Sequence, residues 1–272
     1  MSAPAVAPSV VEVLSDVEYH RLPSLSASGA KLLLPPSTPA KYRYAMDHPR
    51  EPKAEFDFGH AAHKFVLGVG EEIAAIDADD WRTKAAREQR DSARADGKIP
   101  LLASDVEAAR KMAEVVHAHP TASALLSNGR PELSIFWTDP ETGAALRARP
   151  DWLKTPDDGR TVCVDYKTVG QSAHPTEWAR AAYNFGYHIQ MAWYIEGLRE
   201  CGIADDPAFV FICQEKAPPY EVSVIELDEA SLELGFRRMR EAIDTFAHCT
   251  EHNNWPGYGT GIHLTSLPAY AF

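Results

Sequence analysis

The spacing of apolar and polar positions changes along the chain, and each spacing predicts a different kind of element. Helical spacing runs first. Residues 25–34, Leu-Ser-Ala-Ser-Gly-Ala-Lys-Leu-Leu-Leu, read as a short serine-capped helix ended by Pro35-Pro36. Residues 38–47 predict a second helix, carrying Tyr42, Arg43 and Tyr44 and stopped by His48-Pro49. A third spans 59–67, with Ala62, Phe65 and Val66 on its buried side; His60 and Lys64 lie one turn apart on it, as do His63 and Leu67. Residues 71–100 hold a run of alanine, arginine and glutamine, all good helix formers. Residues 104–119 form an amphipathic helix with Ser104 as N-cap, Glu107 at the capping-box position and Pro120 as its stop. A short helix at 121–126 precedes Asn128-Gly129.

Alternation then takes over. Residues 132–138 and 144–153 read as strands, and the turn Asp139-Pro140-Glu141-Thr142-Gly143 makes them an antiparallel hairpin. Arg147, Arg149 and Asp151, spaced by two, share one face of the second strand. Pro150 cannot donate to a ladder, so it marks an edge or a bulge, a device that re-aims a neighbouring side chain. Residues 161–168 form a third strand, with Val162, Val164 and Tyr166 on one face and Asp165 and Lys167 on the other. Helical spacing returns at 175–183 and 187–200. The second of these carries a Tyr187, Gln190, Tyr194 stripe beside a buried Met191, Ile195, Leu198 stripe. The plain alternative is that Tyr194 packs and Gln190 faces solvent. Strands at 208–214 and 221–227, joined by Lys216-Ala217-Pro218-Pro219, lead to a long helix at 229–248 and an aromatic, Gly- and Pro-rich coil at 253–272. Helices, a three-strand meander, then helix, strand, strand, helix predict an α/β fold around a mixed sheet. Residues 1–18, rich in Ala, Pro, Ser and Val, are expected to form a flexible arm.

Composition narrows the function classes. An apolar share of 45% over 272 residues fits one domain with a sizeable core. The four cysteines are scattered with no CxxC pair, against a zinc knuckle, a disulfide framework or a four-cysteine iron–sulfur staple. They suit a reducing cytoplasm. Residues 1–16 hold no basic residue and no continuous apolar stretch, so no secretory leader is expected. No apolar run approaches a membrane span, and no membrane partner is expected. The net charge of −12 excludes a uniformly basic surface. It leaves room for a local basic channel, and Arg82, Lys84, Arg87, Arg90, Arg94 and Lys98 against Glu88, Asp91 and Asp96 form one candidate. From charge alone this run reads as a solvated helix face. Arg237, Arg238 and Arg240 make a second basic cluster. Tyr42, Arg43 and Tyr44 suit a nucleic-acid strand, although aromatics at helical spacing are more often core.

The chemistry sits between Asp151 and Lys167. Two carboxylates and a lysine on neighbouring strands suit a metal and a phosphate, because hard divalent cations take oxygen ligands and phosphodiester hydrolysis needs an activated water. A lone helical histidine such as His63 is more often a bystander. Yet D-x13-D-x-K, with that upstream histidine and a downstream Gln190-x-x-x-Tyr194, resembles the PD-(D/E)XK nuclease superfamily. More narrowly the chain resembles the RecE-type exonucleases (exonuclease VIII-like). Leu25 to Lys31, Pro39 to Tyr42, Gly59 to His63, Arg82-Thr83-Lys84, Arg149-Pro150-Asp151-Trp152, Asp165-Tyr166-Lys167 and Trp255-Pro256-Gly257-Tyr258 all fall in that family's order. The resemblance spans residues 19–272 and implies a single nuclease domain. Within it would lie a helical part at 19–127, a catalytic sheet core at 128–250 and a coil at 251–272. The implied fold is a restriction-endonuclease-like core, a central mixed sheet of about five strands flanked by helices.

Carried over by position, the resemblance implies that Asp151 and Asp165 bind metal, completed by His63 and the backbone carbonyl of Tyr166. Lys167 would orient or activate the attacking water and offset charge on the phosphorane. Gln190 and Tyr194 would position the scissile strand, and Glu132 matches an acidic position near the site. One or two Mg²⁺ or Mn²⁺ ions would serve as cofactor. Duplex DNA would meet Arg82, Lys84, Arg87, Arg90, Arg94, Arg147 and Arg149. Similar exonucleases form ring-shaped homo-oligomers whose lumen passes duplex DNA, so an acidic exterior and a basic interior can coexist. The implied activity is a 5′→3′ exodeoxyribonuclease on linear duplex ends in phage or prophage recombination, partnered by a RecT-type single-strand annealing protein. The alternatives are a structure-specific or nicking endonuclease on the same core, or a non-catalytic DNA-end-binding module. The joint presence of His63, Asp151, Asp165 and Lys167 speaks against the module.

Overall fold

The computed structural model describes residues 8–11, 14–48, 54–157 and 159–267. Residues 1–7, 12 and 13 of the expected arm, Pro49, and 268–272 of the final coil lie outside the described residues. The described part of the arm is ordered structure: β1 (Ser9–Val11), then α1 (Asp16–Arg21). Ser15 and Glu18 close a reciprocal capping box on α1. Three residues of β1 are too few to show an alternation, which is why a strand there was not foreseen. Next come β2 (Leu25–Ser26), α2 (Ala27–Leu33), α3 (Pro39–Asp47) and α4 (Ala54–Leu67). Ser26 caps α2 by accepting from the Gly29 N–H, and Thr38 caps α3 with Pro39 at its first position.

The alanine- and arginine-rich run is the crossover of a small parallel unit: β3 (Ile73–Ile76), α5 (Lys84–Ala95) and β4 (Ile99–Leu102), with Ile73 opposite Ile99 and Ile76 opposite Leu102. β4 runs directly into α6 (Ala103–Ala118). Leu102 is therefore the N-cap, with no side-chain cap bond, and Ser104 already lies inside the first turn. This corrects the expected Ser104–Glu107 capping box, because the strand occupies the place where the cap would stand. α7 (Pro120–Leu125) follows, capped by the His119 ring.

The remaining elements are β5 (Gly129–Pro131), β6 (Ser134–Thr138), β7 (Ala145–Ala148), β8 (Trp152–Lys154), β9 (Val162–Val169), α8 (Pro175–Asn184), α9 (Tyr187–Glu200), β10 (Ala208–Glu215), β11 (Val222–Ile225) and α10 (Glu229–His252). One sheet has the order β11-β10-β9-β8-β5, the other β1-β6-β7-β2. In the first sheet β9 and β10 are parallel and the other pairs antiparallel, so it is mixed, as the α/β class required. The expected strand at 144–153 is two strands in two sheets. β7 pairs with β6, whereas β8 pairs with β5 and β9. Arg149-Pro150-Asp151 makes the transfer, since a proline within the run interrupts the ladder. Its partner changes sheets at the same level, between Pro131 and Ser134.

The five-stranded sheet is covered on both sides. Val164 and Tyr166 of β9 join Ala62 and Val66 of α4, Met112 and Val116 of α6 and Ala122 of α7. Cys163, from the opposite face, joins Leu33 of α2, Trp178 of α8, Met191 and Trp193 of α9 and Ile243 of α10. Alternation along one strand thus feeds two separate cores. α10 approaches α9 closely at Gly235, where a Cβ would stand 2.2 Å from the His188 carbonyl oxygen. Glycine alone fits there. No helix among the described residues is long and apolar enough to cross a membrane.

Candidate active site

β9 carries Asp165 into the side of the sheet covered by α9. The carboxylate is fully buried. Lys167, two residues on and on the same face, places Nζ 2.5 Å from Oδ2. Gln190 of α9 donates from Nε2 to Oδ1 at 2.5 Å. Gln190 is itself buried, so the solvent-facing alternative does not hold. Burial pushes the Asp165 carboxyl up to about 6, with the Lys167 charge opposing and that of Asp151 adding. Burial works against the Lys167 ammonium too, but Asp165 and Asp151 more than offset it and hold its pKa above the ordinary value. The Lys167 ammonium also stands 5.1 Å from the centroid of the Tyr187 ring.

Asp151 supplies the second group from the sheet transfer. Its Oδ2 accepts the Tyr166 N–H at 2.8 Å and lies 3.2 Å from His63 Nε2. The other ring nitrogen, His63 Nδ1, is 3.8 Å from Glu132 Oε1. Glu132 has a positive φ of 46° and donates its N–H to the Asp151 carbonyl at 3.1 Å, so the two transfer points are joined by backbone. Burial lowers the His63 pKa, but Asp151 and Glu132 outweigh it and leave the imidazole above its ordinary value. Asp151 moves the opposite way: burial raises it, while His63, Lys167 and the Tyr166 N–H bring it below the carboxylate norm. Burial raises Glu132 despite His63. Tyr166 is pinned at this point by its hydroxyl, which donates to buried Gln214 at 2.6 Å, and Gln214 in turn donates to the Met112 and Tyr220 carbonyls.

In kind, carboxylate oxygens and an imidazole suit a hard divalent cation. Asp165 Oδ2, buried beside the Lys167 ammonium, has no partner besides it among the described residues and keeps acceptor capacity. In arrangement, no three His, Cys, Asp or Glu side chains among the described residues stand as a ready metal cluster. Each carboxylate is matched instead by a cation of the chain, Asp165 by Lys167 and Asp151 by His63.

Residues 26–267 match a protein family described as a PDDEXK-like domain of unknown function (DUF3799). The chain belongs to this family. Its fold is similar to that of a candidate exonuclease from Eubacterium rectale, at a TM-score of 0.62 and 11% identity, with 94% of this chain and 96% of that chain covered. A second solved structure, SSO0001, has a TM-score of 0.30 at 18% identity, covering 71% of this chain and 84% of that chain. No curated protein matches.

Other expected site residues of this PDDEXK-like domain lie elsewhere. Tyr194 packs its ring 5.9 Å from that of Phe209, and burial raises its hydroxyl pKa. Arg147 and Arg149 are buried, 3% and 9% exposed, which removes them from the expected DNA-contacting set. Arg147 Nη1 donates to the Leu22 and Ser24 carbonyls. Arg149 donates to Ser134 Oγ, Asp16 Oδ1 and the Leu14 carbonyl, and both guanidinium groups sit over the Tyr19 ring. The N-terminal segment, whose course no spacing in the sequence reveals, covers them. Around α5, Arg82 pairs with Asp80, Lys84 with Glu88, Arg90 with Asp91 and Arg94 with Asp57. Arg87 is exposed on the same helix.

Sequence reasoning missed Lys31 of α2 as a neighbour of the site. Its Nζ stands 5.3 Å from the Tyr187 centroid, so two ammonium groups address one ring. Burial, and then the Lys167 charge, brings the Lys31 pKa down to about 7. The available signal was its place at the end of the Leu25-to-Lys31 motif, which reads as a helix and as part of the family's order but not as a site neighbour.

Proposed function

We propose that this chain is a divalent-metal-dependent deoxyribonuclease that hydrolyses phosphodiester bonds of linear duplex DNA from its ends, a RecE-type exonuclease of phage or prophage recombination. The observation that carries the reading is the pairing, on one strand end, of a fully buried Asp165 with Lys167 and Gln190, next to Asp151, His63 and Glu132. A nuclease has reason to keep so much charge at one place. Asp151, Asp165, His63 and the Tyr166 carbonyl would hold Mg²⁺ or Mn²⁺, one ion or two. The metal, when bound, would lower the pKa of a water and neutralise charge developing on the phosphate. Lys167, now paired with Asp165, would orient that water and face the reacting phosphate. Gln190 would keep the Asp165 carboxylate aimed, and Glu132 would hold the His63 imidazole by its other nitrogen. Tyr194 would act from behind α9 by packing. Ring assembly, with the exposed face of α5 toward duplex DNA, and delivery of single strands to a RecT-type annealing protein belong to the same proposal.

The test is digestion of end-labelled linear duplex against covalently closed circles, with Mg²⁺. Linear DNA should shorten progressively from its ends while circles stay intact, and Asp165→Ala should reduce digestion to background. Relaxed or linearised circles would make the chain an endonuclease. Full activity in clean Asp165→Ala protein would sink the assignment.

A further inference from the structure

The corner between α8 and α9 exposes two large aromatic side chains, Tyr183 at 67% and Phe185 at 62%. Each rests on a second ring. Tyr183 lies 5.7 Å from His188 at an interplanar angle of 10°, and Phe185 lies 5.8 Å from Tyr187 at 33°. Tyr187 is itself stacked on buried Trp178 at 5.7 Å. The outer rings are therefore supported from below and open above. A platform already ordered binds a flat ligand with little further loss of side-chain freedom.

The corner also holds a cation. Gly186 joins the two helices with a φ of +66°, and a Cβ there would lie 3.3 Å from Cγ and Cδ of Lys31. The missing side chain is what lets the Lys31 stem run along the corner, with Nζ over Tyr187. Lys167, on the same ring, is taken by Asp165. Lys31 makes no hydrogen bond and no ion pair among the described residues. Open ring faces beside a lysine without a hydrogen-bond or ion-pair partner match the repeating unit of a nucleic-acid strand, a π-faced base next to a phosphate. An aliphatic protein surface would use neither the cation nor the bare ring faces.

We infer that the α8–α9 corner is a nucleotide-binding subsite, in which Tyr183 and Phe185 stack an unpaired base of the DNA strand and Lys31 holds the adjoining phosphate. The inference rests on the nuclease reading for its ligand class. The base must be unpaired, because a base inside a duplex has both faces covered by its neighbours. The subsite lies on the Lys167 side of the candidate active site and would hold the strand end beside the phosphodiester to be cut.

The experiment uses the full chain with a chelator, so that nothing is cut, and a short single-stranded oligonucleotide carrying 2-aminopurine. Wild type should quench the fluorescence saturably. Tyr183→Ala with Phe185→Ala should abolish the quench and weaken binding on the order of ten-fold or more. Lys31→Met should weaken binding and flatten its salt dependence while the quench at saturation persists. Both aromatic positions are exposed, so circular dichroism should be unchanged. An unaltered quench and affinity in the double variant would overturn the subsite, as would no binding by wild type, or a change of oligomeric state with unaltered DNA binding. If wild type quenches with chelator but never digests DNA with Mg²⁺, the nuclease reading falls and the subsite stands. If it digests and the variants bind normally, the reverse holds.

Discussion

The two ion-paired groups along β9 differ in their access to water. Asp165 has no exposed surface and faces an ammonium at 2.5 Å. His63 and Asp151 keep 24% and 19% of their side-chain surface and meet at 3.2 Å, with Glu132 31% exposed behind them. The first pair uses a lysine that stays charged at every ordinary pH, so its cation is fixed. The second uses an imidazole, which can give up its proton near neutrality. The site thus carries one fixed pair, on β9, and one adjustable pair, from α4 and the sheet transfer. An incoming cation would meet strong opposition from Lys167 and weaker opposition from His63.

The fixed pair predicts the largest effect. Lys167→Met leaves a buried carboxylate without its ammonium and should cost about 3 kcal/mol or more at roughly pH 8. The variant's Asp165, its folded-state pKa raised further, would take up a proton as pH falls, so the deficit should shrink toward about pH 5. Urea unfolding of metal-free protein at both pH values measures this. An equal loss at both would mean that the Asp165 charge is not what Lys167 offsets.

The adjustable pair predicts a smaller, pH-shaped effect. His63 is raised above its ordinary value, so its contribution to stability is fully present below about pH 6.5 and lost as pH rises through the raised value. Asp151 is lowered, so its contribution is present above about pH 3.9 and lost as pH falls through the lowered value. Chelated wild type should lose stability across neutral pH, and His63→Gln should flatten that slope; parallel slopes would remove the distinction between the two flanks. The smallest effect lies away from both. Reversing Arg87 and Arg90 to Glu should reduce DNA affinity and lower the salt slope by about 1 to 2, since Arg90 already has Asp91 beside it. Unchanged binding would return α5 to a solvated face.

What was legible in the sequence follows from the range of the signal. Alternation in β9 separated Val164 and Tyr166 from Asp165 and Lys167, and the two faces do enter different surroundings. The periodicity of α9 set Gln190 and Tyr194 on one stripe, yet only the packing decided that Gln190 turns to a carboxylate and Tyr194 to Phe209. Short apolar runs such as Ile-Ala-Ala-Ile and Ile-Pro-Leu-Leu gave no period, so β3 and β4 were hidden inside a helix-forming stretch. Spacing put Arg147 and Arg149 on one strand face with Asp151, but the chain changes sheets between β7 and β8, so the three do not share a strand. The burial of both arginines depends on residues more than a hundred positions away, and no local pattern carries that information.

The sheet transfer at Glu132 and Asp151 works like the pivot of a pair of pliers. Both chains cross from one sheet to the other at this level, with the Glu132 N–H on the Asp151 carbonyl as the pin. The two carboxylates therefore stand at the joint itself, and their spacing follows its geometry. Arg149 fastens α1 and the Leu14 carbonyl to the handle on the four-stranded side. The N-terminal segment is consequently tied to the same joint through Arg149.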